Sequence, residues 1–168
     1  MESAGGTVLA LDMARKLGWC AGTPGARPHY GSVALGGQSR AQVYASLLDY
    51  LADAAALHRP DRIVAEAPLG HMAHRSEDVA LLLYGFRAQL ELFAYDCSIP
   101  VEFVPFHQPR SAVLGRSNFP KGTAKVAVMT WCEGHDFSPA DDNAADALVL
   151  WHFATGWRRQ PELKAKAA

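Results

Sequence analysis

A chain of 168 residues, 49 % hydrophobic and 20 % charged, carries enough apolar material for one domain with a real core, so disorder is excluded as its default state. It contains no run of about 18 apolar residues, which excludes a membrane-spanning helix. The net charge of −1 excludes a whole-molecule attraction to nucleic acid.

The start, "MESAGGTVLALDMARK", lacks a basic n-region, and its apolar run is too short for a signal peptide. A soluble cytoplasmic protein is expected. "TVLALDMA", "LGWCAG" and "HYGSVAL" are short runs rich in strand formers, with the turn-forming "GTPGARP" among them, and read as an antiparallel meander. "SRAQVYASLLDYLADAAALHRP" places Val43, Leu47, Leu48, Leu51 and Ala55 at helical spacing, with Ser39 as its cap and Pro60 beyond its end. "DRIVAEAP" reads as a strand stopped by Pro68. "SEDVALLLYGFRAQLELFAYDCS" is a long apolar helix opened by Ser76, Glu77 and Asp78. "IPVEFVPF" is a fifth strand, and the remainder from Pro109 is mainly helical, broken at "GRSNFPKG" and "GHDFSPADD". Cys20, Cys97 and Cys132 are odd in number and far apart, so they suit small buried apolar positions rather than a zinc site or a disulfide framework.

The order β-β-β-α-β-α-β followed by helices implies an α/β fold. Its sheet is mixed and five-stranded, three antiparallel meander strands then two parallel ones, with helices on both faces. A single domain over residues 1–160 and a disordered basic tail over 161–168 are expected. From Phe103 to Cys132 there are four basic residues (Arg110, Arg116, Lys121, Lys125) and no acidic ones, whereas Glu133 to Asp146 holds five acids and no base. Such a pattern suits a site that binds cations centrally and phosphates around them.

Three acids stand out. Asp12 and Glu66 each end a strand that reads as buried, and strand ends are where ligand sites collect in α/β sheets. Asp146 falls on the stripe Asp142, Asp146, Val149, Phe153 of the last helix, pointing with the apolar residues. Ala144, Ala145 and Ala147 let that helix approach closely. A buried unpaired carboxylate costs several kcal/mol, and a cation removes that cost. Acids without a His or Cys pattern favour Mg²⁺ or Mn²⁺. Asp141 and Asp142 also suit a helix start, with Ser138 as the cap, Pro139 in the first turn and acids there favouring the macrodipole, and that structural role is the favoured one for Asp141.

Over roughly residues 7 to 157 the chain resembles RuvC-type Holliday junction resolvases of the RNase H-like superfamily, the phage-type members most of all. "LALDMARKLGWCAG" is similar to the first-strand motif, "IVAEAPLG" to the second acidic motif, "HQPRSAVLGRSNFPKGTAKVAVM" to the basic segment and "DDNAADALVL" to the last acidic motif. The resemblance implies an RNase H-like fold with Asp12, Glu66 and Asp146 as metal-binding acids, Asp12 bridging two Mg²⁺ ions for which Mn²⁺ substitutes. The fourth acid falls within Asp142–Asn143. Many members carry an Asp at position 143, but Asp142 shares a face with Asp146 and is favoured, while Asn143 offers a carbonyl. Arg110, Lys121 and Lys125 match basic DNA-contacting positions, and Arg116 joins them along the backbone. Leu69 stands where some members carry an aromatic that stacks at the junction centre. His71, His74 and Arg75 in the following loop are candidates for those DNA contacts.

The function so implied is a crossover junction endodeoxyribonuclease of a bacterial or phage-infected cell. It would nick two opposed strands of a four-way junction as a homodimer, leaving 5′-phosphate and 3′-hydroxyl ends. The surplus apolar face of the long helix from Ser76 suits a partner, or else a third layer of the same domain. A broader branched-DNA, flap or RNA–DNA hybrid nuclease and a non-catalytic DNA-binding module are the alternatives.

Overall fold

The structure, a computed structural model, describes residues 5–70 and 76–156. The elements follow the expected order: β1 (Val8–Asp12), β2 (Lys16–Gly22), β3 (His29–Ala34), α1 (Arg40–His58), β4 (Arg62–Glu66), α2 (Glu77–Asp96), β5 (Val101–Val104), α3 (His107–Leu114), α4 (Ala124–Gly134) and α5 (Asp142–Thr155). The sheet order is β3-β2-β1-β4-β5. β1 pairs with β2, and β2 with β3, antiparallel; β1 with β4, and β4 with β5, run parallel.

The period of two along each strand sorts the core into two layers. Leu9, Leu11, Leu17, Ile63 and Ala65 face α1 and α2, where Leu47, Leu51, Phe86 and Leu90 meet them. Val8, Ala10, Cys20 and Val64 face the other way, under α5 and α4. Helices therefore cover both faces. Asp12 continues the Val8–Ala10 set and Glu66 continues from Val64, so both strand-end acids belong to the α5 face.

The helix starts are specified locally. Ser39 and Gln42 form a reciprocal capping box on α1, whose far end turns at Arg59 in the left-handed region (φ 48°) before Pro60. The Ser76 side chain accepts from the Val79 amide to open α2. Ala80, Phe86, Leu90 and Ala94 are the buried face of α2, while Leu81, Tyr84, Leu92 and Tyr95 are exposed. The apolar surplus of this helix is thus not covered by a third layer among the described residues. Cys20 and Cys132 are buried as expected, but Cys97, at the end of α2, is exposed.

Candidate metal centre at the sheet edge

β1 and β4 run parallel in the register Ala10↔Val64 and Leu11↔Ala65. One step further brings Asp12 beside Glu66, on strands spaced about 4.8 Å apart. On its other side Asp12 is paired with Gly18 of β2. A Cβ at Gly18 would collide with the Asn143 carbonyl, so the bare backbone there lets the first turn of α5 settle onto the sheet next to Asp12. Ala144, Ala145 and Ala147 are fully buried on the same helix. The alanines were legible as a means of close approach; Gly18 is their counterpart on the sheet.

This convergence crowds negative charge into a partly buried place. Burial first, then the charges of Glu66 and Asp146, push the Asp12 carboxyl well above the ordinary carboxylate range. Burial, then Asp146, raises Glu66 from 4.5 to about 7. Burial raises Asp146 as well, with Asp142 adding to it, against the lowering influence of Arg110 and Lys125. Arg110 Nη2, from α3, donates to Asp146 Oδ1 at 3.3 Å, and Lys125 of α4 is ion-paired with Asp142. The side chains of Asp12 and Glu66 have no hydrogen-bond or ion-pair partner among the described residues.

Asp141 is different. It is the N-cap of α5, accepting from the Ala144 amide through Oδ1 (3.0 Å), while Oδ2 takes Lys16 Nζ (2.7 Å) and Ser32 Oγ (2.5 Å). Burial works against its charge, yet these partners hold the carboxyl down at about 2. The capping role is therefore Asp141's and not Ser138's, whose amide instead donates to Tyr30 Oη.

The remaining expected residues are spread around this edge. Leu69 is 40 % exposed and lines two shallow grooves, one of about 110 Å³ with Met13, Glu66 and Leu83 and one of about 240 Å³ with Phe106 and His107. The Arg110 guanidinium also lies over the Phe106 ring at 5.4 Å, and Arg116 over Phe119 at 4.6 Å. Lys121 is exposed in the turn before α4 and has no ion-pair partner among the described residues. His71, His74, Arg75 and the basic tail lie outside the described residues. A cavity of about 430 Å³ lies at the opposite end of the sheet beside Gly6, Asp61, Arg62 and Thr155, and none of these acids lines it. Sequence reasoning had no access to the pairing of Arg110 with Asp146 or to Phe106 beneath it; a basic residue 36 positions away carries no local signal of such a contact.

A five-stranded mixed sheet in this order, with helices on both faces and acids at the ends of its first and fourth strands, is an RNase H-like fold. No family model matches the chain, and no curated protein does. Among solved structures, it is similar to Thermus thermophilus RuvC in complex with a Holliday junction substrate, at TM-score 0.69 and 18 % identity over 90 % of this chain and 96 % of that one. A second Thermus thermophilus RuvC structure gives TM-score 0.65 and 17 % identity, over 89 % and 96 % of the two chains. The yeast mitochondrial Holliday junction resolvase Ydc2 gives 0.64 and 11 %, over 89 % and 76 %. At such identities the likeness is one of fold.

Proposed function

We propose that this chain is a divalent-metal-dependent endonuclease that nicks branched DNA, with four-way junctions as its preferred substrate. The observation that carries the reading is the meeting of Asp12, Glu66 and Asp146 at the C-terminal ends of β1 and β4, partly buried and short of counter-charge. Burying carboxylates short of counter-charge costs up to several kcal/mol, with Asp12 and Glu66 unpartnered among the described residues and Asp146 held by Arg110 alone. Among the described residues no three carboxylate, imidazole or thiol side chains are gathered tightly enough to hold an ion as they stand. The donor set nevertheless fits a hard cation, being all oxygen and multiply charged.

Asp12, Glu66, Asp142 and Asp146 are the residues that would hold Mg²⁺, or Mn²⁺ in its place, with Asn143 adding an amide oxygen. When bound, a pair of such ions supplies an activated water and stabilises the leaving 3′ oxygen of the phosphodiester, leaving a 5′-phosphate. The chain's own contribution is placement. The sheet fixes Asp12 and Glu66, and Gly18 fixes the depth of α5 and hence of Asp146. Arg110 and Lys125 bring positive charge to the strand beside the acids. Arg116, Lys121, His71, His74, Arg75 and the basic tail are assigned to the DNA backbone, so binding weakens steeply with salt. The exposed face of α2 is assigned to a second copy, since paired nicks need two sites.

The broader reading, a nuclease of flaps and other branches, is favoured by Leu69, an exposed aliphatic side chain beside Glu66 that cannot stack on a base as a ring does. The discriminating experiment is a cleavage panel of four-way, three-way, flap, hybrid and linear substrates in Mg²⁺ and Mn²⁺. Symmetric nicks confined to the four-way junction are expected. Equal cutting of every branched form selects the broader reading, and binding without cutting in either ion selects a DNA-binding module.

A further inference from the structure

The two carboxylates that α5 brings to the centre are each taken by a cation. Arg110 reaches Asp146 from α3, and Lys125 reaches Asp142 from α4. The Arg110 pair is well shielded, its side chains only 22 % and 18 % exposed, so it does not belong with the surface ion pairs that water and salt render weak. The guanidinium has a second support in the Phe106 ring, 5.4 Å away. Its charge is felt across the whole cluster, lowering Asp12 and Glu66 as well as Asp146. Arg110 is thus the structural counter-ion of the cluster. A divalent cation at Asp146 and a guanidinium on the same carboxylate repel, and the partial burial of the pair weakens the screening of that repulsion by water.

We propose that Arg110 is a displaceable counter-ion: a divalent cation arriving at Asp146 takes its place, and the guanidinium, still seated on Phe106, is turned over to a DNA phosphate beside the acids. This inference rests on the metal reading above. Ion loading and the nearest cationic contact to the strand become a single event. Before DNA arrives, Arg110 and the ion compete for Asp146. Once a phosphate is present to receive the guanidinium, ion and DNA favour each other, and by linkage each raises the other's affinity equally. Lys125, largely exposed, makes the same exchange at Asp142 with less consequence.

The test counts free Mn²⁺ by electron paramagnetic resonance in solutions of the full chain without DNA. Arg110→Met is expected to bind Mn²⁺ roughly 5- to 100-fold more tightly than wild type, the range of ordinary coupling between sites. Equal or weaker binding by a variant with unchanged circular dichroism overturns the inference while leaving the metal reading intact. If neither protein takes up Mn²⁺, the metal reading itself has failed. Should the methionine variant not fold, Arg110→Lys carries the test. The shorter ammonium loses both the fork and the seat on Phe106, so Mn²⁺ affinity is expected to rise about fivefold, and no rise overturns the proposal. In a second arm, Mn²⁺ is expected to strengthen wild-type binding to a four-way junction with uncleavable linkages, and to do so less in Arg110→Met. An equal gain in both proteins overturns the exchange.

Discussion

Asp141 and Asp146 belong to the same helix start, little more than one turn apart, and are treated in opposite ways. Asp141 has an amide, a hydroxyl and an ammonium on its two oxygens, and its carboxyl is held down at about 2. Asp146 sits among buried alanines, is pushed upward by burial, and has one guanidinium to offset it. An acid placed to hold the chain together is surrounded by donors that prefer it charged. Asp146, an acid of the proposed metal site, is left short of them, and the fold carries the cost. The first turn of α5 is therefore where stability is made, and the second is where it is spent.

The sharpest way to separate the two is Asp146→Asn. Cleavage is expected to fall by about 10³-fold or more, the equivalent of the several kcal/mol that ion-mediated charge stabilisation provides, while the melting temperature in chelator stays level or rises. Retained cleavage of branched DNA would sink the proposed function. Gly18→Ala strikes both turns together, because the added methyl meets the Asn143 carbonyl. A loss of about 3 kcal/mol in urea unfolding is expected, with cleavage reduced even in the folded fraction. Stability unchanged by the methyl would mean that the close approach is not needed.

Next in size is the response to pH. Glu66 has its folded value raised from 4.5 to about 7, so between those values the native state holds more protons than the unfolded chain. The contribution of Glu66 to stability in chelator is therefore fully present below about 4.5 and is lost as pH rises to about 7, an effect on the order of 3 kcal/mol, or roughly 5–10 °C in melting temperature. Glu66→Gln should flatten that decline. Asp141 runs the other way, contributing above its unfolded value of 3.8 and losing the contribution as pH falls toward about 2. The smallest effect is expected for Asp141→Ala, about 1–2 kcal/mol from the lost cap and its partners, with cleavage per folded molecule unchanged. A drop in that specific activity would blur the distinction between the two turns.

Much of this was readable beforehand because it is local. Apolar runs with period two marked the strands, Ser39 and Ser76 marked two helix starts, and the stripe through Asp142 and Asp146 turned a carboxylate inward. Strand ends gave Asp12 and Glu66. What escaped was tertiary. A glycine in a strand announces a close approach without saying to what, and only the packed structure identifies the Asn143 carbonyl above Gly18. "SPADD" offers several capping residues, and Lys16 and Ser32, from distant strands, select Asp141. Arg110 read as a phosphate contact, and its present partner is the acid it was expected to work beside. Cys97 read as buried because composition alone could not tell a helix end from a core position.

Position 143 shows what such a scaffold leaves open. Asn143 is held by its main chain, whose carbonyl lies against Gly18, and no side-chain hydrogen bond of Asn143 to another described residue anchors α5. Mutation can exchange the amide for a carboxylate, or back again, without re-registering the helix. Geometry holds the backbone here while leaving the charge of the side chain free to change, and such freedom is a route by which a fold can come to accept different ions and substrates.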